Sequence, residues 1–185
     1  MNQTTVREAA AWSRRLRASD PDVLGELFDR YHHGLYRYAS GFVGTADAGD
    51  VVQEIFLSLW EKRRSTTVRA SIAALLYTMA RNRCLNHLRK HRHEELTWDF
   101  PDREAVDDGS DRELERNLHS WIAGLPPRRA EAFLLSRYHD LSHDQISRIM
   151  GLSLRTVQTH IVHALRDLRK HLDTWNRDAI AAELP

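Results

Sequence analysis

The stretch GLSLRTVQTHIVHAL, residues 151–165, gathers Arg155, Thr156, Gln158, Thr159, His160 and His163 within nine positions. These side chains suit the edges of bases. A guanidinium matches guanine O6 and N7, and a carboxamide matches adenine N6 and N7. Arg166 and Arg169, with Arg128 and Arg129 upstream, suit phosphates, contacts that fix position without reading sequence. Val157, Ile161, Leu165, Leu168 and Leu172 recur at helical spacing, so they form the inward stripe and leave the polar set outside.

The neighbouring residues explain how such a helix would be presented. Ser142 and Gln145 make an S-x-x-Q capping box for the segment HDQISRIM. Gly151 stands where a left-handed residue closes that helix, and Ser153 can cap the next. Helix, glycine turn and helix together form a helix-turn-helix pattern, in which the start of the second helix meets base edges. A merely solvated helix face is the weaker reading, because cap, turn and basic balance agree.

The histidines offer different chemistry. His139 with Asp140, His143 with Asp144, and His160 with His163 have spacings compatible with metal ligands. No H-E-x-x-H accompanies them, and His143 falls in the capping segment. We expect no metal, no cofactor and no catalytic constellation. Cys84, the only cysteine, lies among apolar residues and reads as a small buried hydrophobe.

A second polar cluster lies upstream. Tyr77, Arg81, Asn82, Arg83 and Asn86 share one side of a helix expected over residues 70–91, and the loop before it carries Arg63, Arg64 and Arg69. Cations, amides and an aromatic ring suit single-stranded nucleic acid, where backbone charge and base stacking act together. Ile72, Leu75, Leu76, Met79, Leu85 and Leu88 form the packing stripe of that helix.

Two further helices must support it. Asp20 and Pro21 read as N-cap and first helical position. Leu24, Leu27, Phe28, Tyr31, Leu35, Tyr38 and Phe42 then mark one buried face, in a helix ending near residue 41. The segment TADAGDVVQEIFLSLWEKRR forms the next, with Val51, Val52, Ile55, Phe56, Leu59 and Trp60 apolar, and Asp47, Asp50, Gln53 and Glu54 polar. The upstream AAAWSRRLRAS is a short helix with a basic side. Strand-period segments are scarce, so the fold is all-α.

Charge divides the chain. The net charge is only +1, but residues 94–115 hold ten acids against Arg103 and Arg112. From residue 94 to about residue 109 the apolar period vanishes, which marks an acidic linker that sets no fixed geometry between the halves. Nothing approaches the roughly 18 apolar residues of a membrane span, and no signal-peptide core opens the chain, so a cytoplasmic protein without membrane insertion is expected.

The motifs DAGDVVQEIFLSLW, LLYTMARNRCLNHLRKHR and LPPRRAEAFLLSRYHDLSHDQISRIMGLSLRTVQTHIVHALRDLR, in this order, resemble the extracytoplasmic-function (ECF) group of bacterial RNA polymerase sigma factors. The resemblance implies a non-enzymatic transcription initiation factor of two small helical domains. Sigma domain two would span residues 1–93, the flexible linker 94–110 and sigma domain four, with the helix-turn-helix, 111–175, before a tail at 176–185. It implies that Asp50, Gln53 and Glu54, with Leu57 and Trp60 as apolar support, dock on the beta-prime clamp helices of core polymerase. Arg63, Arg64, Arg69, Tyr77, Arg81, Asn82, Arg83 and Asn86 would capture the promoter minus-ten strand and help melt it. Arg155, Thr156, Gln158, Thr159, His160, His163 and Arg166 would read the minus-thirty-five element while domain four sits on the beta flap. An anti-sigma factor is an expected further partner. Many relatives carry Lys at the position of Gln158, Arg near His160 or His163, and Asp at the position of Asn86, so promoter sequence does not carry over. LSHDQISRIMGLSLRTVQTH also resembles the DNA-binding domain of LuxR-type regulators, but residues 20–92 look like neither a receiver nor a ligand pocket.

Overall fold

A computed structural model describes residues 3–68, 71–91, 109–139 and 141–183 of the chain. Among these, every regular element is a helix: α1 (Gln3–Arg17), α2 (Val23–Glu61), α3 (Ile72–His91), α4 (Gly109–Ala123), α5 (Pro127–Arg137), α6 (His143–Met150) and α7 (Leu154–Glu183). Arg69, Asp140 and the linker through residue 108 lie outside the described residues.

The helix expected at Asp20 begins later. α2 starts at Val23, and its flanking Asp22 makes no side-chain cap. Asp20 is held by α1 instead: its carboxylate pairs with Arg15 at 2.6 Å and accepts from the Asp22 amide at 3.0 Å. The basic last turn of α1 thus fixes the connection. α2 also joins the two helices expected on either side of residue 44. They meet at Gly44, whose φ of 78° and ψ of 168° are open to glycine and to almost nothing else.

Leu27, Leu35, Tyr38 and Phe42 bury the expected face of the first arm, with Leu24 and Tyr31 partly covered. Phe28 departs from it at 40% exposure. It sits at the edge of the stripe, where His32 and Phe56 cover it from one side only, with ring centroids 4.4 and 5.2 Å away. The second arm buries Val51, Val52, Ile55, Phe56 and Leu59 against α3, where Ile72, Leu76 and Cys84 are inward. Burial pushes the Cys84 thiol up to about 12, which makes it inert at neutral pH.

The second half follows its caps closely. Ser142 Oγ accepts from the Gln145 amide at 3.3 Å, while Gln145 Oε1 accepts from the Ser142 amide at 2.8 Å. Gly151 closes α6 at φ 65°, and the Thr156 amide donates to Ser153 Oγ at 3.1 Å. Val157, Ile161 and Leu168 point inward as expected. Leu165 and Leu172 do not, being 38% and 37% exposed. They line an apolar groove shared by α4, α5 and α7. α7 itself continues through the residues expected as a tail, to Glu183.

The halves are not loosely tethered. α6 packs against α3, and the buried carboxylate of Glu131 on α5 is reached from the first half by Tyr38 at 2.9 Å and Arg81 at 2.7 Å. A linker rich in acids sets no geometry by itself, but these pairings do.

Candidate nucleic-acid interface

Asp50, Gln53, Glu54 and Leu57 follow i, i+3, i+4, i+7 spacing along the second arm of α2, and all four are exposed. Leu57 is 62% accessible, an apolar side chain in the middle of a polar surface. Trp60, one turn on, is partly covered by the guanidinium of Arg63, which stacks 4.1 Å from the ring centroid. Such a face, acidic around an apolar centre, suits a partner helix with cations flanking apolar residues.

Next to this surface α3 presents cations. Glu54 pairs with Arg83, and His87 approaches Asp47 at 3.2 Å. Asp47, Asp50 and Glu54 form one lip of a groove whose other lip is Arg83, Asn86, Arg89 and Lys90. Acid and base therefore stand side by side on one edge of the first half.

The residues expected to capture a strand do not form one continuous surface. Asn82 and Asn86 are exposed and Arg83 half-buried. Together with Ser58, Lys62, Thr66 and Met79 they line a concavity of about 410 Å³. The contributions of Lys62, Thr66 and Met79 were not evident from spacing, since a loop and two helices bring them together. Arg64 is exposed. Arg63 is committed locally, donating to Ser19 Oγ at 2.9 Å and to the Trp60 carbonyl at 2.7 Å.

Tyr77 and Arg81 lie elsewhere. Tyr77, expected on the polar side of α3, is only 3% exposed. Its hydroxyl shares a 2.7 Å hydrogen bond with His139 Nδ1, and its ring meets that of Tyr38 edge-on. Burial holds the Tyr77 hydroxyl above its ordinary range, so it remains protonated. Arg81 is turned to Glu131. Burial and the nearby Arg37 push His139 down to about 3, so this ring is neutral and serves the contact between the halves. Among the described residues no group of histidines and acids could hold a metal ion.

On the second half, Arg155, Gln158, Thr159 and Arg166 are exposed, with Thr156, His160 and His163 half-covered. Arg129 is anchored to Asp167 at 2.5 Å. Burial lowers the His160 pKa, as do Arg129, Arg128 and His163, which marks this surface as positively charged. Behind it lies the apolar groove of about 740 Å³, lined by Leu118, Trp121, Phe133, Val162, Leu165 and Leu172. The expected inward stripe of α7 concealed this groove, because spacing alone does not reveal where α4 stops covering it. No helix among the described residues is long and apolar enough to cross a membrane.

Comparison with known proteins matches both halves of the chain to one family. Residues 27–94 match the model of Sigma-70 region 2, and residues 115–168 match that of Sigma-70, region 4. The chain is 30% identical over 182 residues to the ECF RNA polymerase sigma factor RpoE of Cereibacter sphaeroides, covering 91% of this chain and 99% of that protein. It is 28% identical over 167 residues to the ECF sigma factor BldN of Streptomyces coelicolor, covering 85% and 63%. In fold it is similar to CnrH, solved in complex with the cytosolic domain of CnrY, with a TM-score of 0.67 at 20% identity over 90% of this chain and 98% of that one. It is also similar to RpoE of Bartonella quintana, solved with the anti-sigma factor NepR, with a TM-score of 0.66 at 19% identity over 82% and 98%. The chain belongs to the ECF group of RNA polymerase sigma factors, non-enzymatic transcription initiation factors that direct RNA polymerase to promoters.

Proposed function

We propose that each surface described above serves one partner. The acidic face of α2, through Asp50, Gln53, Glu54 and Leu57 with Trp60 beside them, docks on the beta-prime clamp helices of core polymerase. The adjoining edge takes the non-template strand of the minus-ten element. Asn82, Arg83 and Asn86 and the concavity they share with Lys62 and Thr66 receive an unstacked base, while Arg64 holds a phosphate; Arg81 and Tyr77, covered by the second half in this structure, join the set once the halves part. Arg69 belongs to the same set by its place in the sequence. Opening one duplex step costs about 1.4 kcal/mol, and stacking one base returns about 1 to 3 kcal/mol. Capture of one or two bases is enough to bias melting.

Arg155, Thr156, Gln158 and Thr159 read the minus-thirty-five element in the major groove, with His160, His163 and Arg166 nearer the phosphates. The apolar groove between α4 and α7 takes the beta flap, since a helix with an apolar stripe would cover Leu165 and Leu172. The division into residues 1–93, 94–110 and 111–175 follows these roles. The protein acts in the cytoplasm with polymerase. An anti-sigma factor is a further partner, in keeping with the complexes in which CnrH and the Bartonella RpoE were solved.

The observation that carries the reading is the adjacency on one edge of an acidic face and an amide-lined concavity, with an exposed recognition helix on the other half. Purified chain mixed with core polymerase should initiate from a cognate promoter found by sequencing transcripts after induced expression, while neither component does so alone. A chain that fails to bind core polymerase would sink the proposal. A LuxR-type regulator, the alternative from sequence, is disfavoured by the match over residues 27–94.

A further inference from the structure

The concavity assigned to the captured base has a wall that α1 holds from behind. Thr66 and Lys62 line it, and both belong to the connection between α2 and α3. The first turn of that connection supports itself, the Lys62 carbonyl accepting from the Ser65 and Thr66 amides at 3.0 and 2.9 Å. From Thr66 onward, α1 supplies partners. Arg17 Nε donates to the Thr66 carbonyl at 3.3 Å, and its Nη2 donates to Thr67 Oγ1 at 2.6 Å. Ser13 Oγ accepts from the Val68 amide at 2.9 Å and donates to the Ala9 carbonyl at 3.0 Å, with Ser13 and Val68 both buried.

The turn after α1 adds a third tie. Ser19 has a φ of 54°, a left-handed conformation that a side chain with a Cβ resists. Its Oγ accepts from Arg63 Nε at 2.9 Å. α1 is itself fixed, because Arg15 forks onto both Glu26 oxygens at 2.7 and 2.6 Å while its Nε donates to Asp20. Ala9, Trp12 and Leu16 anchor the inner face of the helix in the core.

We propose that α1 is the template of the base-capturing loop: Ser13, Arg17 and Ser19 are positioning residues that hold residues 63–68 in the shape that receives the unstacked base. The inference rests on the reading of that concavity as the seat of the base. A loop ordered in advance loses no further entropy when the base arrives, so capture keeps its full worth. Arg17 acts through Thr66 and Thr67, not as a cation for the strand.

The test uses the full chain assembled with core polymerase. Its probe is a forked duplex carrying, as a single strand, the minus-ten segment of the promoter found by transcript sequencing. Each position of that segment is replaced in turn by an abasic site. Removal of a stacked base should weaken wild-type binding about fivefold or more, which marks the captured position. The readout is the ratio of affinities for the intact and abasic forks. If Arg17→Ala leaves about a third of the loops in the receiving shape, binding of the intact fork falls about threefold. Binding of the abasic fork, which has no base to seat, is unchanged. A smaller folded fraction or a lost phosphate contact lowers both affinities alike and leaves the ratio as it was.

Arg17→Lys keeps the charge but not the fork that reaches a carbonyl and a hydroxyl together, so it should lower the ratio as Arg17→Ala does. Thr67→Val removes an acceptor of the same fork, and its effect should not add to that of Arg17→Ala. Ser19→Gly takes the left-handed turn without strain and removes the acceptor of Arg63, so it should lower the ratio in a chain that still folds. A ratio that stays at the wild-type value in Arg17→Ala and Ser19→Gly overturns the inference, whether or not both affinities drop. A ratio lowered by Arg17→Ala and restored by Arg17→Lys overturns it too, since charge alone then suffices. If no abasic position weakens the wild type, the strand-capture reading fails first and takes the inference with it.

Discussion

Glu54 on α2 pairs with Arg83 on α3, joining the face assigned to polymerase to the edge assigned to the promoter strand. Glu54 is 60% exposed and Arg83 30%, so the pair itself stabilises the fold by less than about 1 kcal/mol. Loss of function on altering it would therefore not reflect unfolding. Glu54→Arg should weaken core polymerase binding by about tenfold or more, the range for a charge placed against its own sign. Arg83→Glu should leave core binding within about twofold and reduce opening of the minus-ten region. The double exchange restores the pair but neither function. Polymerase titration and permanganate footprinting would check this, and recovery of core binding in the double variant would refute the division.

The recognition helix should separate from polymerase binding in the same way. Arg155→Ala with Gln158→Ala removes two side chains suited to bidentate base contacts, each worth about 1 to 3 kcal/mol of discrimination. Core association should be unchanged, while the preference for the cognate minus-thirty-five element over a scrambled one falls at least about tenfold. Competition binding with both duplexes measures it. An equal loss on the two sequences would assign these residues to phosphates instead.

The local parts of this fold were legible because each depends on neighbours in sequence. The Ser142 and Gln145 box, the Gly151 turn and the buried Leu27, Leu35, Tyr38 set all follow from short spacings, and the structure has them. The parts that were not legible depend on distant residues. Asp20 is a nearer case: Arg15, five positions away, takes its carboxylate across the turn between α1 and α2, which helical spacing does not show. Tyr77 reads as a polar-face residue until His139, 62 positions away, covers it. Leu165 and Leu172 share the period of Val157 and Ile161, yet lack a neighbour to bury them. Glu131 carries no spacing signal of its own, and its role shows only when Tyr38 and Arg81, 93 and 50 positions away, donate to it.

Two glycines separate backbone strain from packing. A Cβ meets nothing within 4 Å at Gly25 or at Gly151, but Gly151 has a φ of 65°. Gly25→Ala in α2 should stabilise by about 0.5 to 1 kcal/mol, through helix propensity and a less flexible unfolded chain. Gly151→Ala should destabilise by about 1 kcal/mol, the cost of a left-handed alanine. Thermal unfolding would show shifts of opposite sign. Equal effects would mean that the α6 turn relaxes out of its left-handed state.

Acid should loosen the contact between the halves through His139. Its pKa lies at about 3 in this structure, against 6.5 for the free side chain. Above pH 6.5 both closed and separated states hold it neutral, and it contributes no pH dependence. As pH falls from 6.5 toward 3 the separated or unfolded state takes up a proton that the closed state refuses. Stability is therefore lost across that window, by at most about 1.4 kcal/mol per pH unit from this one group. Arg37, whose guanidinium stacks on Tyr138 at 5.3 Å, adds repulsion to a protonated ring. His139→Gln keeps a hydrogen-bonding side chain but does not titrate, so its stability between pH 6.5 and 4.5 should fall less steeply than that of the wild type. Chemical denaturation at fixed ionic strength across those pH values would measure both slopes. Parallel slopes would show that His139 is protonated as readily in the closed chain as outside it, and that burial between the halves does not hold it neutral.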